Sequence, residues 1–294
     1  MSCERAVVAL RGDRLGVGLV TGVAWLSDEL LASATAAVAG GKRPASAAAS
    51  RAAIVSALEV DLAFVAAGEA EAADGVAALH AADVAAVWTV EGVFGRVACK
   101  LGWMETLRMS AAAPGALAAR LDTALHAALV EVRAGLAAGA DALLVADDLA
   151  TPTGPLLSPD YALDALLPCY HRLVLEATED SLPALFHSDG DIRTLIPALR
   201  RAGFSGVHLA GLDPLAFSAN ASAARAVGLV VLGGISAAEL PEGARDEGAR
   251  AGAFAHSLGC AIVADDGGIT TAEQLVALGA AFLAARDAYR RARS

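Results

Sequence analysis

Several things are scarce in this chain, and each scarcity narrows what it can do. There is no Lys/Arg cluster beyond the C-terminal Arg290-Arg291-Ala292-Arg293. Neutralising phosphates takes a basic stripe, so no nucleic-acid partner is expected. That tail reads more simply as a helix C-terminus, where the dipole favours cations. Only four cysteines occur, at Cys3, Cys99, Cys169 and Cys260. They are too far apart for a Cys-x-x-Cys pair and too few for a disulfide scaffold, which leaves reduced and mostly buried thiols. Mean hydropathy is +0.54, yet the apolar excess is Ala, Val and Leu. No window reaches the roughly 18 uninterrupted apolar residues of a membrane span. The opening residues, Met1-Ser2-Cys3-Glu4-Arg5, lack a basic segment feeding a long apolar region, so no secretory signal is expected and cytoplasmic residence is the reading.

What the chain does have is 294 residues with 22 Lys+Arg against 33 Asp+Glu, a net charge of −11. This composition excludes wholesale disorder, and a chain of this length buries roughly three quarters of its unfolded surface. Short β-branched runs alternate with Ala/Leu-rich stretches of helical period, the pattern of repeated βα units. Eight strands are predicted: Leu15 to Val20, Val60 to Val65, Val84 to Val90, Ala142 to Ala146, Pro183 to Phe186, Gly206 to Leu209, Val227 to Leu232 and Ala261 to Val263. Several lack alternation, as expected where both faces of a parallel sheet are buried. About 37 residues per unit fits a (β/α)8 TIM barrel, with a doubly wound open sheet as the alternative. No linker or composition shift divides the chain, so a single barrel domain over 1–294 is expected.

Helix ends support this parsing. Ser27 precedes Asp28 and Glu29 as an N-cap, Ser158-Pro159 places a capping serine before a proline, and Thr271 with Gln274 forms a capping box. Gly139 and Gly203 follow helical runs as left-handed caps.

In a parallel barrel the chemistry sits at the C-terminal ends of the strands. Those positions hold Asp147-Asp148 after the fourth strand and His187-Ser188-Asp189-Gly190-Asp191 after the fifth. Gly233-Gly234 follows the seventh, and Asp265-Asp266-Gly267-Gly268 the eighth. An acidic mouth is expected, suited to a neutral or cationic ligand or to a metal. His187 is the leading site residue, because it ends an apolar strand and enters a polar turn. Asp147 and Asp148 form a carboxylate pair that can separate into a donor and a base, or can be ordinary loop carboxylates. Ser158, Gly234, Asp265 and Asp266 are candidate substrate contacts, with helix capping or a tight turn as the structural alternative. Asp191 is expected to cap a helix beginning near Ile192. His80, His126, His171, His208 and His256 are read as exposed or core residues.

The order of these segments resembles the uroporphyrinogen decarboxylase and corrinoid methyltransferase superfamily. The matching residues are Gly139-Ala140-Asp141-Ala142 with Asp147-Asp148, Leu157-Ser158-Pro159 with Pro168, Phe186-His187-Ser188-Asp189-Gly190, Gly233-Gly234-Ile235 and Gly267-Gly268-Ile269, with Gly92-Val93-Phe94-Gly95 a weaker match. The resemblance runs from about Val87 onward and implies a TIM barrel. It also implies, for a decarboxylase, an Arg-bearing loop after the first strand to hold a polycarboxylate, where this chain reads Val20-Thr21-Gly22-Val23-Ala24-Trp25. For a methyltransferase it implies a His-x-Cys pair and a further Cys binding zinc. Here the pair is His187-x-Asp189, and no Cys stands in 265–269, so a thiolate zinc site is not expected.

By elimination the expected function is methyl transfer between a small substrate or thiol and a corrinoid carried by a partner protein. His187 and Asp189 would then polarise or deprotonate the reactant, with a divalent metal left open. A uroporphyrinogen-type decarboxylase and a non-catalytic small-molecule or partner-binding barrel are the alternatives.

Overall fold

A computed structural model of the chain describes residues 2–12, 18–40, 44, 46–237, 240–264 and 269–293. Its strands are β1 (Thr21–Val23), β2 (Leu62–Ala66), β3 (Ala85–Glu91), β4 (Ala142–Ala146), β5 (Ala150–Thr151), β6 (Gly154–Pro155), β7 (Ala184–Asp189), β8 (Gly206–Ala210), β9 (Val230–Ile235) and β10 (Ala261–Ala264). Among the described residues eight of them close a parallel barrel in the order β1-β2-β3-β4-β7-β8-β9-β10, with helices between them: a (β/α)8 TIM barrel. Closure is made by β10 against β1, with Thr21 opposite Ile262. The two-residue strands β5 and β6 form an antiparallel hairpin in the loop after β4. The barrel strands are buried along almost their whole length, which accounts for their unbroken apolar runs.

The chain folds as two compact units, one of Met1–Val87 with Val230–Ser294 and the other of Trp88–Leu229. In the first, the helices Leu240–Leu258 and Ala272–Arg293 meet backbone to backbone. A Cβ on Gly248 would lie 2.0 Å from the Ala281 carbonyl oxygen, and one on Gly252 2.3 Å from that of Ala285. The buried Asp61 accepts the Thr21 N–H at 2.8 Å and pairs with Arg5 of the helix Ser2–Leu10. Arg51, also buried, donates to the Phe64 carbonyl at 2.8 Å and pairs with Glu69.

In the second unit, Tyr170, Phe186 and Phe204 stack edge to face, with centroids 5.3–6.2 Å apart, where the helix Leu167–Glu179 crosses β7. Trp88 of β3 donates its indole N–H to the Glu131 carbonyl at 3.0 Å, and its ring occupies the space a Cβ on Gly135 would need, 2.5 Å away. No helix among the described residues is long and apolar enough to cross a membrane.

Each predicted strand after the first overlaps an observed one, and Ala142–Ala146 coincides with β4. The first is displaced. Residues 15–17 of that prediction lie outside the described residues, 18–20 are not a strand, and β1 is the Thr-Gly-Val read as a following loop. Gly22 looks like a strand breaker in sequence, but a Cβ there would sit 2.3 Å from a Leu62 methyl, so close approach of β2 requires the glycine. The helix expected near Ile192 begins at Ile196, and Asp191 instead closes a turn on Arg193. The predicted caps form: Ser27 accepts from Leu30, Ser158 from Tyr161, and Thr271 and Gln274 bond reciprocally.

Candidate active site

The site is assembled in the unit Trp88–Leu229 at the C-terminal ends of β4 and β7, with β8 alongside. Side chains two apart in a strand share a face, so His187 and Asp189 project together. Asp148, just beyond β4, joins them. Its Oδ1 accepts the Asp189 N–H at 2.9 Å and lies 3.6 Å from His187 Nε2, while Asp189 Oδ1 lies 3.9 Å from the same nitrogen. The imidazole is only 2% exposed, whereas Asp148 and Asp189 are 46% and 45% exposed. The two carboxylates therefore reach solvent, with the imidazole Nε2 and Asp189 Oδ1 buried behind them. Gly211, after β8, leaves room for this arrangement, since a Cβ there would press on the Asp189 carboxylate at 3.2 Å.

Behind His187 stands His208. The two are register partners on β7 and β8, and their Nδ1 atoms lie 3.0 Å apart. Two nitrogens at that distance need one proton between them, so the tautomer of one ring fixes that of the other. If His187 donates, its Nε2 presents a lone pair to the carboxylate side; if it accepts, Nε2 presents an N–H. His208 was read from sequence as a core residue. The signal that could have found it is a histidine at matching depth in consecutive parallel strands, which has meaning only once the register is known.

Asp147 and Asp148 are neighbours in sequence with opposite environments. Asp147 is 2% exposed and accepts three hydrogen bonds, from Phe94 N–H at 2.9 Å, Gly95 N–H at 2.7 Å and the Tyr170 hydroxyl at 2.7 Å. It thereby holds the start of the helix Val93–Leu101, and Gly92 is fixed by the same packing, because a Cβ there would come within 2.2 Å of the carboxylate. Burial pushes the Asp147 carboxyl up to about 6, against the opposing pull of those three donors. Tyr170 is held well above its ordinary value by burial and by Asp147, so it remains a neutral donor.

Of the other candidates, Ser158 spends its hydroxyl on the helix cap at 3.2 Å. Gly234 lies in β9, in the other unit, with φ +97°, and its carbonyl accepts from Arg250 at 3.0 Å. Asp265 and Asp266 fall outside the described residues.

Asp148, His187 and Asp189 can each offer one ligand atom to a metal, and these atoms lie within 4.8 Å of one another. The set is one imidazole and two carboxylates, which suits a hard or borderline divalent ion. A thiolate site does not fit. In this unit Cys99 donates to Glu91 at 3.2 Å and Cys169 to the Ala165 carbonyl at 3.5 Å. Glu91 raises the Cys99 pKa and burial raises that of Cys169, which keeps both thiols protonated. Two cations of this unit are committed too: Arg96 pairs with Glu131, and Arg193 with Asp191 at 2.6 Å.

Residues 82–253 match the family model described as uroporphyrinogen decarboxylase (URO-D). The chain belongs to the uroporphyrinogen decarboxylase family. The matched residues include the His187-x-Asp189 pair and Asp148 opposite it. Among solved structures it is similar to a methyltransferase from Methanosarcina mazei, with TM-score 0.73 and 18% identity over 98% of this chain and 99% of that one. It is also similar to a D-psicose 3-epimerase from Clostridium cellulolyticum H10, with TM-score 0.54 and 10% identity over 93% and 99%. At these identities both likenesses are of fold. No curated protein matches the chain.

Proposed function

We propose that this uroporphyrinogen decarboxylase-family barrel is a cytoplasmic methyltransferase that moves a methyl group from a corrinoid, carried by a partner protein, to a small thiol-type acceptor. The observation that carries the reading is the buried His187 with Nε2 aimed between two half-exposed carboxylates, 3.6 and 3.9 Å away. Such a group can take a proton from a bound reactant, and Asp148 and Asp189 stabilise the imidazolium that results. In the transfer, the acceptor S–H proton passes to His187 Nε2 and the acceptor sulfur forms the new S–C bond. The electron pair of the broken methyl–corrinoid bond stays with the corrinoid. His208 orients the ring through the Nδ1 contact, and Asp147 with Tyr170 anchors the strand end that carries Asp148. A divalent ion held by Asp148, His187 and Asp189 would instead supply Lewis-acid polarisation of the acceptor there, in place of proton uptake by His187 Nε2, whose lone pair it would occupy.

The test is methyl loss from free methylcobalamin or a methylated corrinoid protein to thiol acceptors, with and without added Mn²⁺ or Zn²⁺. His187→Ala is expected to lower the rate at least a hundredfold, and Asp148→Asn or Asp189→Asn at least tenfold. No corrinoid-dependent transfer to any thiol under these conditions overturns the reading.

The family match itself favours a second reading, decarboxylation of a tetrapyrrole, in which Asp148 would orient pyrrole N–H groups. Conversion of uroporphyrinogen to coproporphyrinogen would establish it. Ligand binding without turnover in either assay would leave a non-catalytic barrel.

A further inference from the structure

A cavity lies in the unit Met1–Val87 with Val230–Ser294, and its chemistry is the reverse of the acidic cluster. It has a volume of about 650 Å³ and opens at the N-terminal ends of β1, β2 and β3, lined there by residues such as Leu19, Val60 and Val84. Four arginines line it against a single acid: Arg5 from the first helix and Arg286, Arg290 and Arg293 from the helix Ala272–Arg293, facing Glu59. The last three stand at i, i+4 and i+7, one stripe of that helix, so the periodicity aims them into one space.

Two of the four charges are answered. Arg5 pairs with the buried Asp61, and Arg286 with Glu59 at 3.4 Å, its guanidinium also held by the Glu59 carbonyl and by Thr21 Oγ1 at 3.3 Å. The remaining charges are not taken up to the same degree. Arg290 reaches Asp287 at 3.4 Å with both side chains more than half exposed, a pairing worth little in water. Arg293 makes no ion pair among the described residues. The helix dipole favours cations at this end, but it acts equally on Arg291, which does not line the cavity.

We infer that this cavity is a binding site for a multiply charged phosphate ligand, with Arg290 and Arg293 making the direct contacts and Arg286 held in place as a fixed third donor. Guanidinium forks match phosphate oxygens two at a time, and several forks around one tetrahedral dianion are satisfied together in a way that one carboxylate cannot match. Nothing in the inference depends on methyl transfer.

The experiment is isothermal titration of the full chain, stripped of metal by EDTA and dialysis, with inorganic pyrophosphate and, in parallel, citrate, at low salt and at about physiological ionic strength. Saturable one-to-one binding of pyrophosphate is expected, at least tenfold tighter than citrate. It should weaken at least tenfold in Arg290→Glu/Arg293→Glu and stay within twofold of the parent in the off-stripe control Arg291→Glu. The altered residues are surface arginines, and a thermal melt of each variant checks that it folds. Absence of saturable heat overturns the inference. So does an equal loss in Arg291→Glu, which would mean diffuse electrostatics, or citrate binding as tightly as pyrophosphate, which would transfer the site to polycarboxylates.

Discussion

At the residue scale, two adjacent aspartates do different work because one is buried and one is not. Asp147 titrates from about 6 in the folded chain, against an ordinary value of 3.8, chiefly through burial. Between those values the native state keeps a proton that the unfolded chain has lost. The stability this contributes is therefore complete below the ordinary value and is lost as pH rises through about 6. At about 1.4 kcal/mol per unit the loss is on the order of 1–3 kcal/mol. Urea denaturation in EDTA across that window should show it, and Asp147→Asn should not, since the amide does not titrate. The same variant should be less stable overall by about 1–3 kcal/mol, because in either amide orientation an NH2 group now faces a backbone N–H, that of Phe94 or of Gly95. An unchanged pH slope in the variant would rule this account out. His208→Gln tests the ring pair: kcat should fall about tenfold and the acidic limb of the pH–rate profile should move, with the fold intact, whereas a purely structural role would alter stability alone. His187, Asp148 and Asp189 were legible in the sequence because strand ends in a barrel announce themselves. His208 was not, because a contact between neighbouring parallel strands depends on register, and register is not written in either strand alone.

At the element scale, glycines carry information that periodicity misses. The helices Leu240–Leu258 and Ala272–Arg293 approach so closely that Gly248 and Gly252 have no space for a methyl group. Gly248→Ala or Gly252→Ala should cost about 1–3 kcal/mol through forced separation of the helices, read as a drop in the urea midpoint at constant m. Ala at the exposed Gly115, where a Cβ meets nothing within 4 Å, should be neutral or stabilising. A loss at Gly115 as large as that at Gly248 would show that the close helix contact is not what makes alanine costly at Gly248. Gly22 has the same cause behind it, and it explains the one strand placed wrongly: a residue required for strand-to-strand contact resembles, in sequence, the end of a strand. Most other strands were legible because burial on both faces leaves a run of apolar residues that helix periods do not imitate. The loop after β1 is accordingly residues 24–27, and it contains no arginine.

At the scale of the whole molecule, a net charge of −11 is unevenly deployed, with an acidic cluster at strand C-termini and an arginine-lined cavity at strand N-termini. An ion that binds only the folded state stabilises it by about 2.7 kcal/mol at a hundredfold excess over Kd. Saturating Mn²⁺ or Zn²⁺ should therefore raise Tm by several degrees, and His187→Ala should abolish the rise. A rise that persists in His187→Ala would place the ion elsewhere.

The division into units also sets an order in time. The unit bearing His187 is one continuous stretch, whereas the other needs segments separated by more than 140 residues of intervening chain, with β1 waiting for β10. At ribosomal rates of about 5–20 residues per second, the 35 residues from Leu229 to Ala264 take about 2–7 s. During that interval β1 and β2 have been made but lack the neighbour that closes the sheet. Their unpaired edge is an exposure to chaperones and proteases that the finished barrel does not show. Substitutions in β10 are accordingly expected to lower yield in the cell more than they lower the stability of whatever protein is recovered.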